Sequence, residues 1–250
     1  MKRRLIDQFD AILLDQGQTF MFENDRFGAG IDYFSTYVQL GGQSLTVEQL
    51  NHIIEQLFRQ MLALSRNPAH YDSFPSVSRV LQDFAMGVDL CDADIQRLES
   101  LVALHEVGTI SGRHAATLRS FCKTHRLGIV SNIWGNKLPF EENLKRAGVF
   151  QCFEHIIWSS DHGCIKPSAK LFGHALQRFK LSPSRILFVG DHPMRDVDAS
   201  KTLGCYAVWV RNGDGVYPEG LRTPDLVVTD LEELLSAEQG AVANGRAGHR

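Results

Sequence analysis

Short apolar runs recur along this chain, and most of them stop on or next to a polar group. AILLD (11–15), LGIVS (127–131), HIIWS (155–159), RILFVGD (185–191), CYAVWV (205–210) and DLVV (225–228) have the length of strands. They are too uniformly apolar to face water on one side, which suits strands buried on both faces of a sheet. Between them the spacing becomes helical. Pro139 and Gly148 bracket one helix, since proline suits a first turn and glycine a stop. Ser168 caps a second through SAKLFGHALQRF (168–179), a third closes at Gly204, and a short one covers Leu231 to Leu235. Strand–helix alternation of this kind predicts an α/β fold, a Rossmann-like doubly wound parallel sheet with helices on both faces.

The rhythm breaks over residues 30–110. TVEQLNHIIEQLFRQMLAL opens on a capping box at Thr46 and Gln49 and puts Leu50, Ile53, Ile54, Leu57, Phe58 and Met61 on one helical face. A second helix is expected after Ser76, and a third after Asp92 with Ile95, Leu98, Leu101 and Val102. These apolar residues read as helix–helix core. The expected division is a core of residues 1–22 and 111–236, a helical insertion of residues 23–110, and a disordered tail, small and polar, over 237–250.

Composition narrows the function classes. A formal net charge of −3 with no basic block gives no electrostatic case for nucleic acid. No run approaches a membrane span, and the basic start MKRRLIDQFDAILLD is broken by Asp7, Asp10 and Asp15, unlike a signal peptide. Five cysteines (Cys91, Cys122, Cys152, Cys164, Cys205) stand singly, as free thiols in a reducing cytoplasm do. The oligomeric state is open.

Asp15, Ser131 and Asp191 each fall at the carboxyl end of an expected strand. In an open parallel sheet that edge is where ligands bind. One aspartate there is ordinarily a turn former or a helix cap. Three such residues, with Lys166 in a loop before a helix and Asp196 five residues after Asp191, are a different matter; Asp198 is the alternative partner, at a spacing that fits less well. Paired carboxylates repel unless a hard cation lies between them, and magnesium takes one or two carboxylates with phosphate oxygens. The ordinary reading of Lys166 alone is a solvated surface group.

These residues resemble the haloacid dehalogenase-like superfamily of hydrolases, mostly magnesium-dependent phosphatases. Four motifs match in order: D-x-x-x-T at Asp15 to Thr19, the strand-ending Ser131 with Asn132, G-x-x-K-P at Gly163 to Pro167, and G-D-x-x-x-x-D at Gly190 to Asp196. The resemblance spans residues 9 to about 235 and accounts for the insertion, since the superfamily often carries a helical cap there. It implies that Asp15 is the nucleophile forming an aspartyl-phosphate. Ser131, Asn132, Thr19 and Lys166 would bind the phosphoryl group of a small phosphorylated substrate. Asp15, the Gly17 carbonyl and Asp191 would hold Mg2+, with Asp196 close by or acting through water.

One position departs from the pattern. The typical phosphatase has an acid–base aspartate two residues after the nucleophile, and this chain has Gly17. General acid–base assistance is worth roughly 10²–10⁴ in rate, so the change is chemically large. Three readings follow. In the first, a phosphohydrolase acts on a good leaving group, or borrows a donor; Gln18 cannot serve, whereas His192 or Asp25 are candidates. In the second, the scaffold runs another reaction. Dehalogenases use no magnesium, yet Asp191 and Asp196 are kept, and phosphonate cleavage needs a cap lysine that residues 20–110 lack. In the third, the protein binds phosphate or a protein partner without catalysis. Arg26, His70, Tyr71 and Arg79 of the insertion are expected to be solvated surface.

Overall fold

The computed structural model describes residues 4–23, 27, 30–83 and 89–238. Six strands, β1 (Ala11–Leu14), β2 (Arg126–Ser131), β3 (Phe153–Trp158), β4 (Ile186–Gly190), β5 (Tyr206–Val210) and β6 (Leu226–Val228), form one sheet in the order β3-β2-β1-β4-β5-β6. All the pairings are parallel. β1 lies at the centre, and all four of its residues are buried, as its unbroken apolar run requires.

Alternate residues of β1 feed two cores. Ile12 and Leu14 pack with Leu118 and Phe121 of α5 (Gly112–Cys122) and with Phe140 and Leu144 of α6 (Leu138–Arg146). Ala11 and Leu13 pack with Leu171, Phe172 and Phe179 of α8 (Ala169–Phe179). Helices thus cover both faces, as the strand–helix alternation predicts. Ser168 caps α8 by accepting the Lys170 amide at 3.1 Å. The helix expected to close at Gly204 does so: it starts as a wide π-type turn, Pro193–Asp198, continues as the short α9 (Ala199–Thr202), and stops on Gly204 at φ 90°. Another short helix, α7 (Ser159–His162), follows β3 directly.

The long stretch between β1 and β2 carries α1 (Tyr33–Gln39), α2 (Val47–Arg66), α3 (Val77–Asp83) and α4 (Asp92–Glu106). The capping box of α2 forms in full, with the Gln49 amide donating to Thr46 Oγ1 at 3.2 Å and the Thr46 amide to Gln49 Oε1 at 2.9 Å. Leu50, Ile53, Leu57 and Met61 are buried among residues of the other three helices, in a core separate from the two that flank the sheet. The chain leaves and re-enters the sheet region through paired segments. The Phe22 amide donates to the Thr109 carbonyl at 2.9 Å, and the Thr109 amide returns the bond to Phe22 at 2.6 Å. None of the helices among the described residues is long and apolar enough to cross a membrane. Of the expected tail, residues 239–250 lie outside the described residues.

Candidate active site

β1 has β2 on one side and β4 on the other, so the carboxyl ends of these three strands adjoin. Asp15 follows β1, Ser131 ends β2 and Asp191 follows β4, and the three side chains that the sequence puts at strand ends are brought to one edge. The Asp15 amide is anchored to the Val189 carbonyl at 2.9 Å. Its carboxylate oxygen Oδ1 accepts from Ser131 Oγ at 3.0 Å and from Lys166 Nζ at 2.6 Å.

Lys166 is not a surface lysine. It is 2 % exposed, and its ammonium also bonds Asp196 Oδ1 at 2.6 Å. Asp196 spends its second oxygen on the His192 amide at 2.9 Å. Both oxygens are therefore engaged within the chain. Gly190 is required for this arrangement, since a Cβ there would stand 2.5 Å from Asp196 Cγ. Asn132 brackets the Lys166 backbone: its Oδ1 accepts the Lys166 amide at 2.8 Å and its Nδ2 donates to the Lys166 carbonyl at 3.1 Å. Its carboxamide thus fixes the lysine loop. From the other side, the Ile165 amide donates to the Tyr71 carbonyl at 2.9 Å, the Phe74 amide to the Gly163 carbonyl at 2.7 Å, and Ser168 Oγ to Asp72.

One ligand atom each from Asp15, Asp191 and Asp196 lie within 4.8 Å of one another. Burial raises the Asp15 carboxyl above its ordinary range against the pull of Lys166, and the Asp196 charge adds to the rise. Burial, then Asp196 and Asp15, push Asp191 up to about 8. Burial alone would lower the Lys166 ammonium, but Asp15 and Asp196 hold it above its usual value. Three carboxylates against one ammonium is an unbalanced cluster, and it fits a hard divalent cation. The Gly17 carbonyl takes no backbone hydrogen bond from the described residues, so it too is available as an oxygen ligand.

The other expected residues are placed differently. Thr19 is buried in the turn that closes on the Gln16 carbonyl, and its hydroxyl has no partner among the described residues. A Cβ built on Gly17 meets nothing within 4 Å, and its backbone is not left-handed; the left-handed residue is Gln18, at φ 56°. His192 is half-buried, and burial, Arg195 and Lys166 lower its imidazole to about 4. Arg79 is exposed and paired with Asp83, as expected of solvated surface, whereas His70 and Tyr71 are half-buried. Asp25 and Arg26 lie outside the described residues.

Two features escape a reading of the sequence. Glu106, at the end of α4, accepts the amides of Trp134 (2.8 Å) and Gly135 (3.0 Å) and so fixes the loop that follows Ser131. Trp134, Phe27 and Phe58 form an aromatic group with ring centroids 5.6–6.4 Å apart, lining an apolar pocket between that loop and the helices. The place of Phe58 on the apolar face of α2 was the available signal, whereas Phe27 and Trp134 stand in no periodic pattern. The Glu106 bonds run to backbone amides, which leave no mark in the sequence.

Comparison with known proteins adds an independent line. Residues 33–210 match the family described as haloacid dehalogenase-like hydrolase, a stretch that begins after the Asp15 to Thr19 motif. A phosphoserine phosphatase of Thermus thermophilus is 35% identical over 119 residues, 46% of this chain and 47% of that protein. A glyceraldehyde 3-phosphate phosphatase of Pyrococcus furiosus is 30% identical over 131 residues, 50% of this chain and 52% of the other. The matched stretch therefore spans about half the length of these relatives. Among solved structures, a phosphatase from Thermococcus onnurineus covers 91% of this chain and 96% of its own with a TM-score of 0.61, at 23% identity. That likeness is one of fold.

Proposed function

The chain belongs to the haloacid dehalogenase-like hydrolases, and on that premise we propose that it is a magnesium-dependent phosphohydrolase acting on a small phosphorylated metabolite through an aspartyl-phosphate on Asp15. The observation that carries this reading is the buried Asp15 carboxylate, held by Ser131 Oγ and Lys166 Nζ on one oxygen beside two further carboxylates, Asp191 and Asp196. With Oδ1 so fixed, Oδ2 is the oxygen free to approach phosphorus. Ser131 and Lys166 are donors that turn to the phosphoryl oxygens as substrate enters, and Asp196 keeps the ammonium aimed. Asn132 holds the lysine loop rather than the phosphate with its carboxamide. Asp15, the Gly17 carbonyl and Asp191 would hold Mg2+, with Asp196 close by, and the ion supplies positive charge against the phosphoryl group's negative charge. The aspartyl-phosphate is then hydrolysed by water, restoring the carboxylate.

Residues 23–110 form a cap in this reading, with α1–α4 limiting access of water to Asp15. The names of the curated relatives point to small phosphomonoesters as first substrates. Five unpaired cysteines suit a cytoplasmic setting. Dehalogenation uses no magnesium, whereas Asp15, Asp191 and Asp196 bring one oxygen each within 4.8 Å of one another, which supports the metal-dependent reaction instead.

A second reading, phosphate binding without turnover, is favoured by Gly17 alone. The experiment that separates the two is a screen with magnesium of alkyl phosphates, acyl phosphates and anhydrides, with Asp15→Asn as the blank. Turnover above the blank on any class supports the phosphohydrolase. Rates no higher than the blank on every class would leave only binding.

A further inference from the structure

Residues 163–168, which carry Lys166, form neither helix nor strand, so their place depends on what they bond. On one side the partner is the sheet domain: Asn132, next to Ser131, holds the Lys166 amide and carbonyl at 2.8 and 3.1 Å. On the other side it is the helical insertion, at the segment between α2 and α3. The Ile165 amide donates to the Tyr71 carbonyl at 2.9 Å, and the Phe74 amide to the Gly163 carbonyl at 2.7 Å. Ser168 Oγ donates to Asp72, and Lys170 Nζ reaches the Asp72 carbonyl at 3.3 Å. The insertion therefore grips the chain both before and after Lys166.

The side chains divide in the same way. Cys164 is buried in the sheet-side core with Leu171 and Phe172. Ile165, 1 % exposed, is buried in the separate core of α1–α4, with Leu57 and Val77. Lys166 enters the site and bonds Asp15 and Asp196. Three consecutive residues thus go to three places. Among the described residues, Ile165 is the one buried member of the helices' core that lies outside residues 33–102.

We propose that Ile165 is a positioning residue for Lys166: its side chain pegs the lysine loop into the insertion, so the ammonium stands at Asp15 only while α1–α4 are seated on that loop. The assignment rests on the phosphohydrolase reading above, in which Lys166 takes the phosphoryl oxygens. With the helices displaced, the loop loses the bonds on both flanks of Lys166 and keeps the Asn132 grip. A misplacement of about 1 Å at a binding group can cost about 10²-fold. Asp15 and Asp191 directly follow the buried strands β1 and β4 and keep their places. Phosphate and magnesium therefore respond differently. Phosphate needs the ammonium, whereas the cation is held by carboxylates and repelled by the ammonium.

The test is calorimetry with two probes, magnesium alone and inorganic phosphate at saturating magnesium, on wild type, Ile165→Ala, Ile165→Val and Asp72→Ala. Ile165→Ala should weaken phosphate binding by about tenfold, within the range for coupled neighbours, while magnesium affinity holds or rises. Ile165→Val keeps most of the peg and should bind phosphate close to the wild-type value. Asp72 is exposed, and Asp72→Ala should weaken phosphate less than Ile165→Ala, again without loss of magnesium. It decides the case if Ile165→Ala does not fold. Equal losses of both ligands would mean that the substitution only loosens the fold, and unchanged phosphate affinity that the lysine keeps its place without the peg. Either result overturns the assignment while leaving the phosphohydrolase standing. A wild type that binds no phosphate with magnesium present overturns both.

Discussion

Gly17 sets the chemistry at the scale of single residues. Its backbone avoids the left-handed region and an added Cβ would meet nothing within 4 Å, so a side chain can start there without backbone strain. Gly17→Asp is therefore expected to raise turnover of alkyl phosphates, up to about a hundredfold, with little change on acyl phosphates. Steady-state rates on the two classes check it, and equal gains on both would show that the new carboxylate acts on binding. Asp191 makes a second prediction. With its carboxyl pushed up to about 8 by burial and its acidic neighbours, it gains most from a cation, so Asp191→Ala should lower magnesium affinity at least tenfold by calorimetry. Unchanged affinity would remove it from the site. Asp15, Ser131 and Asp191 were legible in the sequence because an apolar run that stops on a polar residue marks the carboxyl edge of a buried strand. The grip of Asn132 on the lysine loop was not legible: a carboxamide spent on the backbone of a residue 34 positions away leaves no local pattern.

Among elements, the loop after β2 joins the sheet to α4. The Glu106 carboxyl grips two amides of that loop, while burial pushes it up to about 7 against their pull. Its ordinary value is near 4.5, so between those values the folded protein holds a proton that the unfolded chain has lost. The stability this gives is full below about pH 4.5 and is lost as pH rises through about 7. Glu106→Gln keeps an acceptor and removes the titration. The Tm of wild type should fall relative to that of Glu106→Gln between pH 5 and 8; melting curves across that range check it, and a constant difference would refute the shift. Helices with long apolar faces, α2, α4 and α8, were readable in advance. α1 was not, because its seven residues, YFSTYVQ, are aromatic, β-branched and polar types with weak intrinsic helix preference. It stands on tertiary support, with Asp32 accepting the Ser35 amide at 2.9 Å and Tyr37 buried against α2 and α4.

The whole molecule is a sheet domain and a set of helices, joined where the chain passes from one to the other and back. The crossings at Phe22 and Thr109 bond to each other, and Gly108 lies against them so closely that a Cβ would stand 2.2 Å from the Phe22 carbonyl oxygen. If α1–α4 act as the cap over Asp15, this paired crossing sets their height and angle above the site. Gly108→Ala must then force the two segments apart at a cost of about 1–3 kcal/mol, the usual range for overpacking. The displaced helices should also lower kcat by more than the lost stability explains. Gly112→Ala is the matched control four residues later. Its Cβ meets nothing within 4 Å at the first position of α5, where alanine is the better helix former, so its Tm should hold or rise and its kcat should stay at the wild-type value. Melting temperatures and kcat of the two variants, measured on the substrate class found by the phosphatase screen, decide the matter. If Gly108→Ala loses stability and keeps full kcat, the crossing is only a structural joint, and the angle of the helices does not govern the chemistry beneath them.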